Sequence, residues 1–458
     1  MAKFRSSSKP LRTFKPKPRT IPAGKFTMAI ESLAEDGRGV ARIKGKTVFV
    51  AGALAGEQVK VSYQQAHKNF DEAVVIKVLE PSADRVEPAC QYYSRCGGCN
   101  LQHLSLDGQR HHKQRSLAHK FSNISTGVVI DEPLLGEFLA YRHRARFAIK
   151  ADRHNFHIGF RQTDSHQVVD ITQCLVLKSS INAVFPAIKT QLSRLKSRSS
   201  LMELSVSEAE GGGLGLMLLA KQALCDADLS LLSQMADEQG FVLELYHFKG
   251  KEKHLQFTVG ESELFYTLNH QQLTIPFTLS DFTQVNPEIN QRLIDTAINW
   301  LQLNKADHLA DYFCGIGNFT LPVSNQVASV TGYELVAGMV KKASHNAALN
   351  NISNAVFQVS NLMAGGINIP KNLNKVLLDP PRAGADVLCQ QLAASSVEKI
   401  LYISCNPKTL HRDAKTLVEG GYQLARIALA DMFPQTSHSE VVALFTLAPS
   451  NSNNKKNK

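Results

Sequence analysis

From residue 281 to residue 449, short apolar runs alternate with stretches of helical spacing. The runs end at Phe313, Glu334, Val359, Asp379 and Ser404, and most are followed by a loop and a helical stretch. That alternation predicts a doubly wound parallel sheet, which takes its ligands at the carboxyl ends of its strands. A last run over residues 440–445 has no helix after it and is expected to pair antiparallel at the sheet edge. Residues 21–79 read differently. Gly37, Gly39, Gly45, Gly52 and Gly56 punctuate short Val, Ile and Phe runs, the pattern of a small OB-like β-barrel. Residues 80–280, opened by Pro81 and Pro88, read as mixed α+β. A basic helix is expected over residues 111–120, with Lys113, Arg115 and Lys120. A strand over residues 141–147 has period two, and puts Arg142, Arg144 and Arg146 on one face, either for phosphate contacts or merely solvated.

Composition narrows the class. The chain has 458 residues, 43% of them apolar and 20% charged, as in a soluble globular protein, and no run is long enough for a membrane span. Ten of the eleven net positive charges lie at the two ends. Residues 1–20 are expected to form a flexible basic arm and residues 450–458 a disordered basic tail, both suited to a polyanionic partner. The start of the chain has no apolar signal segment, so a cytoplasmic protein is expected. Its eight cysteines are then expected to be reduced thiols, metal ligands or catalysts.

Three loops carry candidate chemistry. Residues 308–319 run from a strand into Cys314-Gly315-Ile316-Gly317-Asn318-Phe319, a turn that lets a ligand approach the backbone. Thr320 stands where a dinucleotide fingerprint wants its third glycine. Glu334 ends the next strand, where an acid commonly holds ribose hydroxyls, and Asn361 follows the third. S-adenosylmethionine fits this shorter loop better than NAD. Next come Asp379-Pro380-Pro381-Arg382-Ala383-Gly384 and Ser404-Cys405-Asn406-Pro407. Cys405 precedes a helix start, a setting expected to lower a thiol pKa. Cys225, Cys314 and Cys389 read as small buried hydrophobes. Glu440 is a candidate general base if it faces Cys405. Cys90, Cys96 and Cys99, with Cys174 further on, form a four-thiol set that suits either an iron–sulfur cluster or zinc.

Together, Asp311 to Phe319, Asp379 to Gly384, Ser404 to Pro407, Ser439-Glu440 and Phe282-Thr283-Gln284-Val285-Asn286 resemble the RNA 5-methyluridine methyltransferase family, over residues 20 to 447. Residues 21–79 resemble the RNA-binding TRAM domain. The resemblance implies S-adenosylmethionine as methyl donor, held by Gln284, Phe313, Asn318, Glu334, Asn361 and Asp379. It implies that Cys405 adds to uracil C6 and that Glu440 removes the C5 proton. It implies a [4Fe-4S] cluster on Cys90, Cys96, Cys99 and Cys174, in a structural role. The barrel and the cysteines together favour 23S rRNA, at uracil 1939, as the substrate. A tRNA uracil methyltransferase and a non-catalytic RNA-binding assembly factor are the alternatives. A monomer with no membrane association is expected.

Overall fold

The computed structural model describes residues 21, 24–125, 127–152, 154–163, 165–260, 263–365 and 367–448. The basic arm and basic tail lie outside the described residues. The chain divides into two compact units, Met1–Arg85 and Val86–Lys458.

In the first unit six strands form one sheet, in the order Phe26–Ala29, Gln58–Ala66, Phe70–Glu80, Lys46–Ala51, Gly39–Ile43, Ser32–Leu33. Alternate residues turn to one side, as the period-two pleat requires. Val48 and Val50, with Val59 and Val61, join Met28, Ala41 and Ala73 in a small core. Glu57 is fully buried at its margin. It accepts hydrogen bonds from the amides of Leu54 (2.8 Å) and Ser82 (3.2 Å) and from Arg85 Nη2 (2.8 Å).

The second unit is built on two sheets. The first has seven strands, ordered Val168–Asp170, Phe156–Arg161, Arg144–Ala151, Leu201–Glu208, Leu214–Ala220, Val242–Lys249, Glu252–Val259. In Arg144–Ala151 the alternation is strict. Ala145, Phe147 and Ile149 turn inward onto Phe185 and Ile188 of the helix Ser179–Arg194.

The other sheet has eight strands, ordered Ala355–Val359, Ser329–Glu334, His308–Tyr312, Lys375–Leu378, Lys399–Ser404, Glu440–Leu447, Tyr422–Ala430, Val129–Ile130. The first five are parallel, as the alternating pattern predicts. The last apolar run corrects the sequence reading. Glu440–Leu447 is antiparallel but not at the edge: it lies between Lys399–Ser404 and Tyr422–Ala430 and pairs with both. The physical reason is burial. Residues 440–445 are all buried, whereas an edge strand would leave one row of backbone groups unpaired.

Two stretches from residues 80–280 pack on this second sheet. The helix Leu106–Phe121 lays Leu117 and Phe121 against its core. The hairpin Leu264–Leu268 with Leu273–Phe277 packs on the other face, against the helix Pro287–Leu301. That helix starts at Asn286, whose side chain accepts from Ile289 N, with Pro287 at its first position.

Burial alone would raise the pKa of Glu57, but Arg85 and the two amides overcome it and hold the carboxyl below its ordinary value. A depressed folded-state pKa means stability that is complete above the unfolded Glu range, about 4.3, and lost as pH falls through the folded value. In Glu57→Gln the protection of residues 26–80 against hydrogen exchange should be lower at neutral pH and flatter across the acid range. Identical wild-type and variant profiles would exclude this linkage.

Candidate active site

The first strand of the wound sheet, His308–Tyr312, delivers Asp311 and then a sharp turn. Phe313 has a left-handed backbone (φ 70°), a conformation that a bulky residue adopts only when its surroundings enforce it. Here the amides of Phe313 and Cys314 both bond to Tyr333 O, at 2.9 and 3.0 Å. Glu334 braces the same turn, accepting from Gly315 N (3.3 Å) and Val336 N (3.0 Å). Asp311 is buried and takes a bond from Thr320 Oγ1 (2.5 Å), while its Oδ1 has no partner. Burial pushes its carboxyl up to about 7, against the Thr320 bond, with Asp379 and Glu334 adding repulsion. A buried acceptor without a donor, among three acids, fits a cationic, hydrogen-bonding ligand such as S-adenosylmethionine.

The next two strand ends converge on the candidate residues Cys405 and Glu440. Ser404 pairs with Val441, so one step further the register sets Cys405 opposite Glu440. The loop after Asp379 is locked to the start of the helix Pro407–Glu419. Asn406 caps that helix by accepting from Lys408 N and donates to Arg382 O (2.9 Å). Asp379 accepts from Gln284 Nε2 at 3.4 Å. Its carboxyl is pushed up to about 7 by burial, against the Gln284 bond. Glu440 is buried and its carboxyl is held well above the usual range, first by burial and then by Asp379. Cys405 feels Glu440, Asp379 and Arg382. The structure therefore brings Cys405, Glu440, Asp379 and Gln284 together, and Asp311 couples Asp379 to Glu334.

The thiol itself corrects the sequence reading. Cys405 is raised, not lowered: burial comes first, then the charges of Glu440 and Asp379, and Arg382 with a backbone hydrogen bond does not offset them. Asn318 and Asn361 make local hydrogen bonds. Asn318 bonds to Tyr266 OH (3.0 Å) and to Asn290 in both directions (3.0 and 2.9 Å). Asn361 is exposed and its Oδ1 accepts from Met363 N (3.2 Å). Phe313 is half-buried against the sheet core, whereas Phe282, two residues before Gln284, is 66% exposed.

Several supporting residues gave no sequence signal. His143 is buried between the half-buried Arg142 and Arg144, and its ring bonds to Gln284 O at 2.7 Å. Burial lowers its pKa to about 4, so the ring is neutral and its N–H donates to that carbonyl. Asp413, fully buried, accepts from Ala385 N and Tyr402 OH, both at 2.7 Å, and ties the Asp379 loop to the Cys405 helix. The basic segments also differ from expectation. Arg144 donates to Asp281 O and, at 2.6 Å, to Leu279 O, so it shapes the approach to Gln284 and is not free for phosphate. Lys113 is not a surface cation but is buried against Asp431 (2.8 Å). Cys314 and Cys389 are buried as expected, but Cys225 is exposed, because it stands at the N-cap of the helix Asp226–Gln239.

Cys90, Cys96, Cys99 and Cys174 are half-buried and act on one another electrostatically. Burial, with the neighbouring thiols, pushes Cys99 up to about 12 and Cys174 to about 11. Gly97 lets this segment lie against the strand Phe156–Arg161, since a Cβ there would come 3.0 Å from Arg161 O. Four neighbouring thiols are a donor set whose chemistry fits a metal centre. Among the described residues, however, no group of three or more His, Cys, Asp or Glu side chains is arranged to hold a metal ion.

A wound sheet with an acid-rich ligand edge and an adjoining thiol defines a methyltransferase-type site. Residues 108–447 match the family described as tRNA (Uracil-5-)-methyltransferase, and residues 25–76 match the TRAM domain. The 23S rRNA (uracil(1939)-C(5))-methyltransferase RlmD of Vibrio parahaemolyticus is 38% identical over 443 residues, 95% of this chain and 99% of that protein. The protein of the same name from Haemophilus parainfluenzae is 39% identical over 427 residues, 92% and 96% of the two chains. The crystal structure of Pyrococcus abyssi tRNA (uracil-54, C5)-methyltransferase in complex with S-adenosyl-L-homocysteine superimposes with a TM-score of 0.73 at 23% identity. It covers 92% of this chain and 100% of that one, and shows the shared fold. The chain belongs to the RNA uracil-C5 methyltransferase family, enzymes that methylate uracil C5 at the expense of S-adenosylmethionine. Among the described residues no helix is long and apolar enough to cross a membrane.

The raised thiol makes a direct prediction. Alkylation of Cys405 by iodoacetamide, followed by mass spectrometry with exposed Cys225 as internal reference, should be slow at neutral pH. It should rise only above the ordinary thiol range, about 8.5. Glu440→Gln removes a repelling charge and should move the profile to lower pH. An unmoved profile would mean that Glu440 does not act on the thiol.

Proposed function

We propose that this protein methylates C5 of a uracil in 23S rRNA, uracil 1939, through a covalent adduct of Cys405 with uracil C6. The observation that carries the reading is the convergence of Cys405, Glu440 and Asp379 at the carboxyl edge of one sheet. The choice of 23S rRNA over tRNA is supported by relatives of that name at 38 and 39% identity along nearly the whole chain.

Uracil C5 is a weak nucleophile until C6 is attacked. The sulfur of Cys405 forms a bond to C6, and the electron pair of the C5–C6 double bond moves toward O4, giving an enolate. The Cys405 thiol must lose its proton first: Asp379, whose carboxylate acts on the sulfur, takes it, which leaves Glu440 ionised for the C5 proton, and the sulfur recovers that proton when its bond to C6 breaks. Arg382, an exposed cation acting on the same sulfur, faces the developing enolate charge. S-adenosylmethionine supplies the electrophilic methyl group that C5 takes up. Glu440 then removes the C5 proton, the C5–C6 double bond re-forms, and the bond from C6 to sulfur breaks. A carboxyl raised by burial and by Asp379 is a stronger base than an exposed one, which suits removal of a carbon-bound proton. Gln284, Phe313, Asn318, Glu334, Asn361 and Asp379 are proposed to hold the cofactor. The partnerless Oδ1 of Asp311 and the turn enforced at Phe313 support a ligand there.

Cys90, Cys96, Cys99 and Cys174 are proposed as ligands of a [4Fe-4S] cluster in a structural role, supported by the four sulfurs lying near enough to act on one another electrostatically. Methyl transfer has no redox step and is not routed through them. Residues 21–79, with the TRAM match, and the basic arm are proposed to bind RNA.

Two measurements test the reading. With 5-fluorouridine-substituted RNA the fluorine at C5 cannot leave as a proton, so a denaturation-resistant complex should form on 23S rRNA fragments. It should be absent with Cys405→Ala. A complex on tRNA and none on 23S rRNA would favour the tRNA alternative, and none on either would favour a non-catalytic RNA-binding protein. Metal and acid-labile sulfide analysis of anaerobically purified protein should give about four iron and four sulfide per chain, lost in Cys99→Ser. Zinc in place of iron would overturn the cluster assignment.

A further inference from the structure

Residues 431–439 join Tyr422–Ala430 to Glu440–Leu447, and Ala430 pairs with Glu440, so this loop leaves the sheet and returns at the catalytic edge. It is irregular but buried: Asp431, Met432, Gln435 and Thr436 are all 9% exposed or less. Buried irregular backbone must find its hydrogen bonds outside itself. Leu134 O accepts from Asp431 N (2.9 Å) and Tyr141 OH donates to Pro434 O (3.1 Å), but most come from one stretch, residues 100–113, gripping every second residue of the loop. Lys113 bonds to Asp431 (2.8 Å) and to Phe433 O (3.1 Å). Gln109 accepts from Gln435 N (3.0 Å) and donates to Gln435 Oε1 (3.1 Å). The amides of Asn100 and Leu101 both donate to Gln435 O at 3.1 Å. Asn100 Oδ1 accepts from Ser437 N (2.8 Å) and its Nδ2 donates to Ser437 Oγ (2.9 Å).

Gln435 is the centre of the grip. Its backbone is left-handed (φ 69°), a conformation an ordinary side chain keeps only when over-determined, and four hydrogen bonds converge on this residue. The buried face of the helix Leu106–Phe121 reads Gln109, Lys113, Leu117, Phe121. Its apolar half covers the sheet, while its polar half, Gln109 and Lys113, is desolvated against this loop, Gln109 Nε2 donating also to Leu104 O (2.9 Å).

We propose that Gln109 and Asn100, acting through Gln435, are positioning residues for Glu440: they fix the loop that sets the catalytic base against Cys405. Asn100 directly follows Cys99, so the cysteine-bearing segment and the base are mechanically one piece. The proposal rests on the reading of Glu440 as the C5 base.

The test compares the intact enzyme with Gln109→Ala, Gln435→Ala, Gln435→Asn and Glu440→Gln on unmodified 23S rRNA fragments. Gln109→Ala and Gln435→Ala should lower kcat about tenfold with KM for RNA unchanged. They should accumulate the Cys405–RNA adduct, because formation precedes the step that Glu440 serves. Gln435→Asn, which tolerates the left-handed backbone, should recover part of the rate. A loss of thermal stability alone, with kcat per folded molecule unchanged and no adduct, would overturn the proposal. If Gln109→Ala does not fold, the split between Gln435→Ala and Gln435→Asn decides, and equal rates for the two would count against it. If Glu440→Gln accumulates no adduct, the base reading fails by itself. Positioning is then judged on kcat, where a loss at constant KM keeps it and no loss removes it.

Discussion

The antiparallel pairing of Ser404 with Val441 is the constraint on which the proposed catalytic edge depends. Side chains alternate along a strand, so a slip of one residue would turn Glu440 to the other face. The register is held from both sides, because Glu440–Leu447 is laddered to Lys399–Ser404 and to Tyr422–Ala430. Cys405 and Glu440 are thus placed by backbone hydrogen bonds over a run of pairs, not by contacts of their own. The Asp379 loop is then added through Asn406, the N-cap of the helix Pro407–Glu419, and Asp413 in the middle of the same helix.

Four acids, Asp311, Glu334, Asp379 and Glu440, crowd this edge, and the carboxyls of Asp311, Asp379 and Glu440 are raised by burial. Such a cluster is costly until a cation or shared protons offset the repulsion. The protein tolerates the cost because its surroundings are rigid. Neutral His143 fixes Gln284 against Asp379, and Tyr266 with Asn290 fixes Asn318 at the Gly turn. Burial first, and then the same repulsion, keep the Cys405 thiol protonated at rest.

Much of the wound sheet was legible, because parallel strands buried on both faces leave plain apolar runs, and their ends carried the Gly turn, Asp379 and Cys405. Glu440 was legible as an acid opening a strand, but its inserted position was not, since strand order is a property of tertiary pairing. The helix Leu106–Phe121 was legible as a helix but not as buried. Gln109 and Lys113 occupy its inner face, and hydrophobic periodicity is blind to a buried polar stripe. The expected low pKa of Cys405 followed from its helix start alone, whereas burial and two carboxylates, invisible in a local window, dominate. Arg144 was read by charge and alternation, and its carbonyl partners lie more than a hundred residues away.

Lys113 and Asp431 are 318 residues apart in the chain. During synthesis at about 5–20 residues per second, the lysine is made roughly 15–60 s before its carboxylate exists. An ammonium group cannot be buried without that partner, so the helix Leu106–Phe121 must wait, solvated, until the last strands emerge. The strand Val129–Ile130 waits as well, since it pairs with Tyr422–Ala430. The methyltransferase sheet is therefore completed only after Tyr422–Ala430 and Glu440–Leu447 have been made, and a chain stopped short of residue 431 cannot close it.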